Sequence, residues 1–363
     1  MRAGILPAYA YMAHMRIRER ETCWEYIERC GKPVFLYGMG NGADKIMDRL
    51  LGMGIRPAEV FASDDFVRGQ SFRGYQVKRF GEVAGQYGDF VILLAFASER
   101  PEVMARIDQL DAEWDLRCPD MPVFGEDVFN WAYLEEHRSQ MEQAYALLEE
   151  PSRRVFDGIV NYKLSGKLAY LREIHSQRRR DIVELIAPRD GDAYADLGAY
   201  DGDTIRDMEG LARLSHIYAL EPDAKNFAKL ARAYGAAENV SLYNLAAYDR
   251  ATELAFDGKA GRNSALSREG RQRVPAESLD HLLAGRPVQL VKLDVEGAEA
   301  AALAGMEETI ARWRPSMMVS AYHKTGDFFE LPIFLAERGY APRLRKHPYY
   351  PCWEVMVYCR GNI

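Results

Sequence analysis

The chain lacks several features that would direct it to a particular class of protein. Its 363 residues carry a formal net charge of −7, so the general excess of lysine and arginine that binds nucleic acid phosphates is absent. No apolar run approaches the roughly 20 residues that span a bilayer, and the N-terminus has no clean apolar segment of an export signal. We therefore expect no nucleic acid partner, no membrane span and a cytoplasmic location.

Cysteine is scarce and scattered. The five cysteines are odd in number and include no C-x-x-C pair, which disfavours a zinc site, a redox motif or a disulfide framework. The pattern is typical of a protein in a reducing compartment, and it predicts no metal held by cysteine.

Basic residues form one run, Arg178-Arg179-Arg180, which Asp181 follows directly. The run lies in a stretch of helical spacing, and charged runs on helices are usually solvated. We expect this run to be an exposed helix face without a functional role.

The length of the chain and its alternating strand and helix patterns indicate two α/β units. At this length a single core is no longer expected. Residues 1–129 contain apolar strands at 34–37, 60–62 and 90–95 with a helix at 45–51, an alternation that predicts a parallel sheet with crossover helices. We interpret this segment as an N-terminal Rossmann-like domain. Residues 130–187 have helical spacing, interrupted by Pro151, and are predicted to be a helical connector.

Residues 188–363 form the second alternating unit. The final two of its predicted strands are separated by prolines and aromatic residues and read as a hairpin. We predict a mainly parallel seven-stranded sheet that ends in an antiparallel hairpin, with strands at 193–195, 217–220, 240–243, 288–293, 317–320, 341–347 and 354–360.

A glycine turn follows the first strand of this unit, with the pattern Asp196-x-Gly198-x-x-x-Gly202. Glycine lets a backbone approach a ligand closely, and Asp203 or Thr204 can cap the next helix. The spacing differs from the dinucleotide pattern G-x-G-x-x-G, whose bare amides face a pyrophosphate. An acidic residue at the start of the turn instead suits a cationic ligand.

Two further sequence elements are positioned to contact a ligand bound at this turn. Glu221 ends the next strand, 23 residues beyond Gly198, and precedes Pro222. A carboxylate there can accept both hydroxyls of a ribose. The third element is the run 292–299, Lys-Leu-Asp-Val-Glu-Gly-Ala-Glu, at the end of the fourth main strand.

Together with Asn244-Leu245-Ala246, these motifs resemble the series of the FkbM-type methyltransferases, over roughly residues 192–360. The resemblance implies a class I methyltransferase fold and metal-independent transfer of the methyl group of S-adenosylmethionine, usually to a hydroxyl of a sugar or a polyketide-type product. It implies Ser264 on a loop over the cofactor. It also assigns cofactor-contacting positions: Asp196, Gly198, Ala199, Tyr200, Gly202 and Thr204 on the methionine side, Glu221 and Pro222 at the ribose, Asn244 and Ala246 at the adenine, and Asp294 where donor and acceptor meet.

Methyl transfer to oxygen needs a group that holds the acceptor hydroxyl at attack distance and takes its proton. Asp294 and His323 are our candidates, because both follow strands at the same sheet edge and imidazole titrates in a useful range. Lys324 either binds an anionic part of the substrate or is solvated. Nearby aromatic residues are a candidate platform for a sugar ring: Tyr322, Phe328, Phe329, Tyr349, Tyr350 and Trp353.

The chain departs from the family pattern before the histidine. Many FkbM-type sequences have a glutamate there, where this chain has Ala321 and Tyr322. The Tyr-His-Lys sequence and the C-terminal end resemble instead a bacterial branch with an N-terminal Rossmann-like domain. A metal site built from Asp294, Glu296, His323, His347 and Glu354 would follow no known ligand spacing, so we predict none.

The N-terminal unit has a glycine turn of its own. Gly38-x-Gly40-x-x-Ala43 follows a strand and opens a helix, and Asp64 lies at the end of the next strand. This context fits a site for a nucleotide or nucleotide-sugar, and a structural or oligomerisation role fits it equally. The alternatives to a methyltransferase are therefore an NAD- or nucleotide-sugar-binding oxidoreductase and a non-catalytic nucleotide-binding module.

Overall fold

The computed structural model describes residues 15–257, 265–266 and 272–361. Ser264, expected on a loop over the cofactor, lies outside these residues. The described residues form two α/β units, each built on a mostly parallel sheet, as the sequence predicts. Among the helices of these ranges, none has the length and apolar character that crossing a membrane requires.

The N-terminal sheet has six strands, of which five are parallel and one edge strand is antiparallel. They are β1 Val34–Tyr37, β2 Glu59–Ala62, β3 Ser71–Phe72, β4 Tyr75–Arg79, β5 Val91–Leu94 and β6 Asp115–Arg117. Their order is β3-β4-β2-β1-β5-β6, and the helices are α1 Cys23–Cys30, α2 Asn41–Gly52, α3 Phe80–Ala84 and α4 Pro101–Glu113. The strands predicted at 34–37, 60–62 and 90–95 are confirmed as β1, β2 and β5. Three strands, β3, β4 and β6, were not predicted: β3 and β6 have only two and three residues, and β4 has a single buried residue among five, so none shows a clear apolar pattern.

The connector is helical, as predicted. It contains α5 Trp131–Glu136, α6 Arg138–Leu147, α7 Glu150–Ser165, α8 Ala169–Arg172 and α9 Arg178–Asp181, with a π-helical turn at Ile182–Ile186. Pro151 does not interrupt a helix but lies in the first turn of α7, where a missing N–H leaves no hydrogen bond unmade. Most of α7 is buried, and its Asp157 and Asn161 accept hydrogen bonds from the backbone of the segment at Arg16 and Arg18.

The C-terminal sheet has seven strands, and a small sheet of four strands lies beside it. The strands are β7 Ala193–Leu197, β8 His216–Leu220, β9 Val240–Tyr243, β10 Ala246–Ala247, β11 Thr252–Asp257, β12 Ala265–Leu266, β13 Gln272–Glu277, β14 Leu290–Leu293, β15 Ser316–Ser320, β16 Arg343–Lys346 and β17 Val355–Cys359. The helices are α10 Asp203–Glu209, α11 Ala224–Tyr234, α12 Leu279–Leu283, α13 Glu299–Ala304, α14 Glu307–Trp313 and α15 Asp327–Glu337.

The order of the large sheet is β16-β17-β15-β14-β7-β8-β9. β7, β8, β9, β14 and β15 are parallel, whereas β17 pairs antiparallel with both β15 and β16. The predicted seven strands and terminal hairpin are therefore confirmed. The chain runs outward from β7 to β8 and β9, then returns to β14 on the other side of β7. Such a reversal opens a crevice at the carboxyl ends of the central strands, where open α/β sheets bind ligands.

The turns after β7 and β14 touch at this crevice. Gly198 has a φ of +87°, and a Cβ placed there would lie 1.9 Å from the backbone oxygen of Asp294. A side chain at position 198 would therefore force the two turns apart.

Loops of the N-terminal unit close against the same edge of the C-terminal sheet. Ser98 and Tyr350 exchange two backbone hydrogen bonds of 2.8 and 3.0 Å, and the Phe124 N–H donates to the His323 carbonyl over 2.8 Å. Thr325 donates its hydroxyl hydrogen to the Asp127 carbonyl. The N-terminal loops thus contact the segment that carries His323.

We expect Gly198→Ala to destabilise the protein more than the same substitution at a glycine of similar φ whose Cβ position is open. Gly191 has a φ of +93° and open space at its Cβ position. Gly191→Ala should therefore cost only the left-handed backbone strain, about 1–2 kcal/mol. Gly198→Ala should cost a further ~1–3 kcal/mol from overpacking, measured as free energy of unfolding in urea. Equal losses in the two variants would contradict a tight contact with Asp294.

Candidate active site

The turn after β7 forms the floor of a cleft at the crevice. The N–H groups of Gly198 and Ala199 both donate to the Leu220 carbonyl, over 2.9 and 2.8 Å, which ties the turn to the end of β8. Gly202 has a φ of +87° and starts α10. From this turn, Gly198, Tyr200, Asp203 and Thr204 line the cleft, whereas Ala199 and Gly202 shape the backbone beneath it.

Glu221 forms the side of the cleft next to β8. Its two carboxylate oxygens accept hydrogen bonds from the backbone N–H groups of Tyr200 and Asp223, each over 2.8 Å. Burial raises the pKa of Glu221 to about 7, against the opposing effect of these two donors. The carboxylate is therefore held rigidly, and it retains lone pairs for hydroxyl groups in the cleft.

The residues around Glu221 divide into those that line the cleft and one that supports it. Pro222 and Ala246 line the cleft, as expected. Asn244 does not, because its amide donates to the carbonyls of Glu221 and Pro222 over 2.8 and 3.2 Å. Asn226, a buried residue in the first turn of α11, lines the cleft and was not predicted. The signal available in the sequence was the preceding Glu-Pro-Asp, whose Asp223 caps that helix.

Lys292 and Asp196 form a buried pair beneath the turn. The Lys292 ammonium donates to the Gly198 carbonyl over 2.7 Å and lies 3.3 Å from Asp196 Oδ1 and 3.8 Å from Asp294 Oδ2. Burial raises the pKa of Asp196 to about 6, and Lys292 counteracts that rise. Asp196 is fully buried and does not line the cleft, so its contact with a cationic ligand stays a prediction.

Asp294 and His323 lie together on the far side of the cleft from Glu221. His323 Nδ1 donates to Glu299 Oε1 over 2.8 Å, and its Nε2 lies 3.5 Å from both Asp294 Oδ1 and Glu296 Oε2. Burial alone would lower the pKa of His323, but the carboxylates of Glu299, Glu296 and Asp294 together raise it well above its usual range. His323 is therefore a buried imidazolium among three carboxylates.

Glu299 and Glu296 are two members of this group whose roles the sequence analysis did not assign. Glu299 Oε1 also accepts from the Val295 N–H over 3.0 Å, so this carboxylate fixes both the turn after β14 and the orientation of the imidazole ring. Burial raises the pKa of Glu296 to about 8. The sequence signal that could have indicated these roles was the acidic pattern Asp294-x-Glu296-x-x-Glu299 directly after a strand.

The same group is where a cation could bind. Asp294, Glu299 and His323 each offer one ligand atom within 4.8 Å of the others. His347 and Glu354, included in the hypothetical metal set, do not join it; His347 lies 3.3 Å from Asp181 and 3.8 Å from Glu354 in a separate cluster. Because Glu299 Oε1 already accepts from His323 and Val295, the geometry favours an ion pair over a metal ligand set.

The prediction for the basic run was wrong at its first residue. Arg178 lines the cleft, and its guanidinium donates to Thr204 Oγ1 over 3.1 Å. Arg180 does fit the expectation, since it is exposed and pairs with Glu184 at 2.7 Å. The run lies in α9, a helix of only four residues. The side chain of Arg178 is directed toward Thr204, whereas that of Arg180 is exposed to solvent.

One wall of the cleft is formed by aromatic residues of the C-terminal unit, together with two residues of the N-terminal unit. Trp353 stacks with Tyr349 at 5.6 Å and lies 6.4 Å from Tyr322, between ring centroids, and all three line the cleft. Glu99 and Val123 of the N-terminal loops line it too, and no sequence pattern indicated them. The other three residues of the expected platform are buried in the core: Phe328, Phe329 and Tyr350.

The glycine turn of the N-terminal unit is packed within that unit. Gly38 has a φ of +120°, and a Cβ there would lie 2.9 Å from the Phe96 ring, whereas Gly40 faces open space. Ala43 is buried in α2, and Asp64 begins a short 3-10 turn after β2. None of these four described residues lines the cleft. Nucleotide binding at this turn stays a prediction.

The fold is of the doubly wound α/β class, and its cleft lies at the carboxyl ends of the parallel strands. Comparison with known proteins gives a family match, described as Methyltransferase FkbM domain, to residues 196–342. This match supports methyltransferase activity and agrees with the motifs of the chain. No match was found among curated proteins.

One of the following solved structures has a TM-score high enough to show a shared fold. The chain is similar to the methyltransferase FkbM from Methylobacillus flagellatus KT, with a TM-score of 0.65 and 19% sequence identity over 90% of each chain. It is also similar to an rRNA methylase from Streptococcus thermophilus, with a TM-score of 0.32, 13% identity, and 51% of this chain and 94% of the other covered. Aeropyrum pernix fibrillarin with bound S-adenosyl-L-methionine has a TM-score of 0.32 and 14% identity, over 47% of this chain and 67% of its own. The likeness to the first structure extends the shared fold to the N-terminal unit.

We expect Glu299→Gln to remove the closest counter-ion of the buried imidazolium. Breaking one partner of a buried pair costs about 3–5 kcal/mol, whereas the exposed control Glu308→Gln should change stability by less than about 0.5 kcal/mol. The raised pKa of His323 contributes stability that is fully present below about pH 6.5, the usual histidine value, and is lost as pH rises through the folded-state pKa. The difference between wild type and Glu299→Gln in urea unfolding should therefore shrink from pH 6.5 to 9; a constant difference would contradict the ion pair.

Proposed function

We propose that this protein transfers a methyl group from S-adenosylmethionine to a hydroxyl of a sugar, a glycan or a related metabolite. One observation carries the proposal: the turn of Gly198, the carboxylate of Glu221 and the carboxylate of Asp294 converge on a single cleft. The first two fit an adenosyl ligand, and the third stands at the place where an acceptor would meet it.

The residues present fit the cofactor. Gly198 leaves the backbone bare at the cleft floor, because any Cβ would be directed into the turn after β14. Glu221, fixed by two backbone donors, would accept the ribose hydroxyls. Pro222 and Ala246 would contact the adenine, and Asn244 would hold the segment at Glu221 in place. When bound, the cofactor supplies an activated methyl group.

The acceptor would lie against the aromatic wall. Tyr349 and Trp353 present stacked rings to the cleft, and sugar rings pack on such surfaces through their apolar C–H faces. Glu99 and Val123 would limit the size of the acceptor from the side of the N-terminal unit. The wall accordingly suits a hydroxylated ring better than an extended polyanion.

Asp294 would take the proton. The Asp294 carboxylate would accept the hydroxyl proton of the acceptor as the acceptor oxygen bonded to the methyl carbon and the bond from that carbon to the donor sulfur broke, which would leave the sulfur as a neutral thioether. His323 holds both its protons and therefore would not act as the base; it would keep Asp294 in position from 3.5 Å. Glu299 fixes that imidazolium on its other side. His323 thus becomes a positioning residue for the carboxylate.

The free cysteines bear on where this reaction takes place. All five are without disulfide partners, and four of them are buried. We propose a reducing, cytoplasmic location, because thiols stay reduced there.

Calorimetry with S-adenosylhomocysteine tests the donor site. Wild-type protein should bind it, and binding should tighten as pH rises from 6 to 8, because Glu221, with a pKa of about 7, must be ionised to accept both hydroxyls. Glu221→Gln should weaken binding roughly 10-fold or more and remove the pH dependence. The exposed control Glu238→Gln should match wild type. Absence of binding heat from the wild type would overturn the proposed function.

A labelled-methyl assay against a panel of sugars and glycans tests the base. Asp294→Asn should lower kcat by about 10²–10⁴-fold, because the amide cannot take the proton, while its affinity for S-adenosylhomocysteine stays within a few-fold of wild type. Asp201→Asn is not a suitable control, because Asp201, in the glycine turn, pairs with Arg206 of α10. The control is Asp89→Asn, an exposed position of the N-terminal unit. Unchanged kcat in Asp294→Asn would exclude Asp294 as the base.

A further inference from the structure

The cleft contains three basic side chains among the described residues: Arg178, Lys292 and His323. The donor proposed above carries an amino acid group at the end opposite its adenine. A carboxylate that leaves water for a cleft loses much hydration free energy unless a cation or several N–H donors replace it. The three basic groups are therefore the candidates for binding that carboxylate.

Two of the three are already engaged by protein groups. Lys292 lies beneath the glycine turn, where it contacts the Gly198 carbonyl and Asp196, and its side chain is only 5% exposed. His323 is held between Glu299 and the carboxylates of Asp294 and Glu296. Neither has a charge left to neutralise a further carboxylate.

Arg178 differs from both. Its side chain is 36% exposed into the cleft. One guanidinium nitrogen donates to Thr204 Oγ1 over 3.1 Å, and another lies 3.9 Å from Glu354, beyond hydrogen-bond distance. A guanidinium has five N–H donors in a planar fork that matches a carboxylate. Most of these donors remain available to a ligand.

The position of Arg178 along the sheet agrees with this role. It bridges Thr204, in the first turn of α10, and Glu354, just before β17. β17 lies on one side of β7 in the sheet, and β8 with Glu221 lies on the other. A donor with its ribose at Glu221 and its chain over Gly198 would therefore have its amino acid end toward Arg178.

Glu354 would not fully neutralise the guanidinium of Arg178, so a ligand carboxylate could still bind there. Its carboxylate lies 3.8 Å from His347 Nδ1, and His347 Nε2 lies 3.3 Å from Asp181 and 3.1 Å from the Tyr358 hydroxyl. The charge of Glu354 is thus shared with a buried histidine cluster. The same contacts hold the guanidinium at the cleft wall before a ligand arrives.

We propose that Arg178 binds the carboxylate of the methionine group of the donor and so distinguishes the complete cofactor from smaller adenosine thioethers. This inference rests on the proposed function, since it presumes the adenosyl donor in this cleft. It assigns the first residue of the basic run to the donor site.

The test compares two ligands by calorimetry. S-adenosylhomocysteine carries the amino acid group, whereas 5′-methylthioadenosine keeps the adenosine and the thioether and lacks it. Arg178→Met should bind S-adenosylhomocysteine roughly 10- to 100-fold more weakly than wild type, as expected for loss of a charged hydrogen-bond pair. Its affinity for 5′-methylthioadenosine should stay within about twofold, which also shows that the variant is folded. Arg178→Lys should recover part of the lost affinity.

Arg180→Met, which removes an exposed arginine of the same run, is the matched control and should bind both ligands like wild type. If Arg178→Met loses affinity equally for both ligands, or keeps full affinity for S-adenosylhomocysteine, the inference is overturned. If the wild type binds neither ligand, the proposed function itself fails. The two failures are therefore distinguishable.

Discussion

The cleft depends on one close contact between two turns. Gly198, after β7, lies so near the backbone of Asp294, after β14, that no side chain fits between them, and Lys292 donates to the Gly198 carbonyl from below. β7 and β14 are neighbours in space but lie almost 100 residues apart in the chain, at the point where the strand order reverses. This contact brings the glycine turn and the Asp294 carboxylate to one crevice.

The charges around this contact are arranged as two buried groups. Lys292 balances Asp196 beneath the turn, and His323 balances Glu299 and the carboxylates beside it. A buried charge without a partner would be costly, so each group needs its partners in place for the fold to be stable. The same pairing leaves Glu221 and Asp294 directed at the cleft with defined orientations, which is what a site that binds a ligand and moves a proton requires.

The N-terminal unit is part of this site and not only an appended domain. Its loops hydrogen-bond to the segments of His323 and Tyr350, and they place Glu99 and Val123 on the cleft wall. Its own glycine turn packs at Gly38 against Phe96, which gives that glycine a structural reason independent of any nucleotide. The contacts of the N-terminal unit with the C-terminal unit thus lie at the cleft.

The sequence alone determined the features that depend on local spacing: the seven strands of the C-terminal sheet, three of the six strands of the N-terminal sheet, the glycine turn at Gly198, the acidic strand end at Glu221 and the Asp294 motif. Each is a short pattern whose geometry follows from a few neighbouring residues. Only the tertiary structure decided which side chains face the cleft. Asp196 and Asn244 lie within the motifs yet support the backbone, whereas Arg178 and Glu99 lie outside them and reach the cleft. The reason is that their surroundings are built by residues far away in the chain, and no local periodicity records which distant segment packs against them.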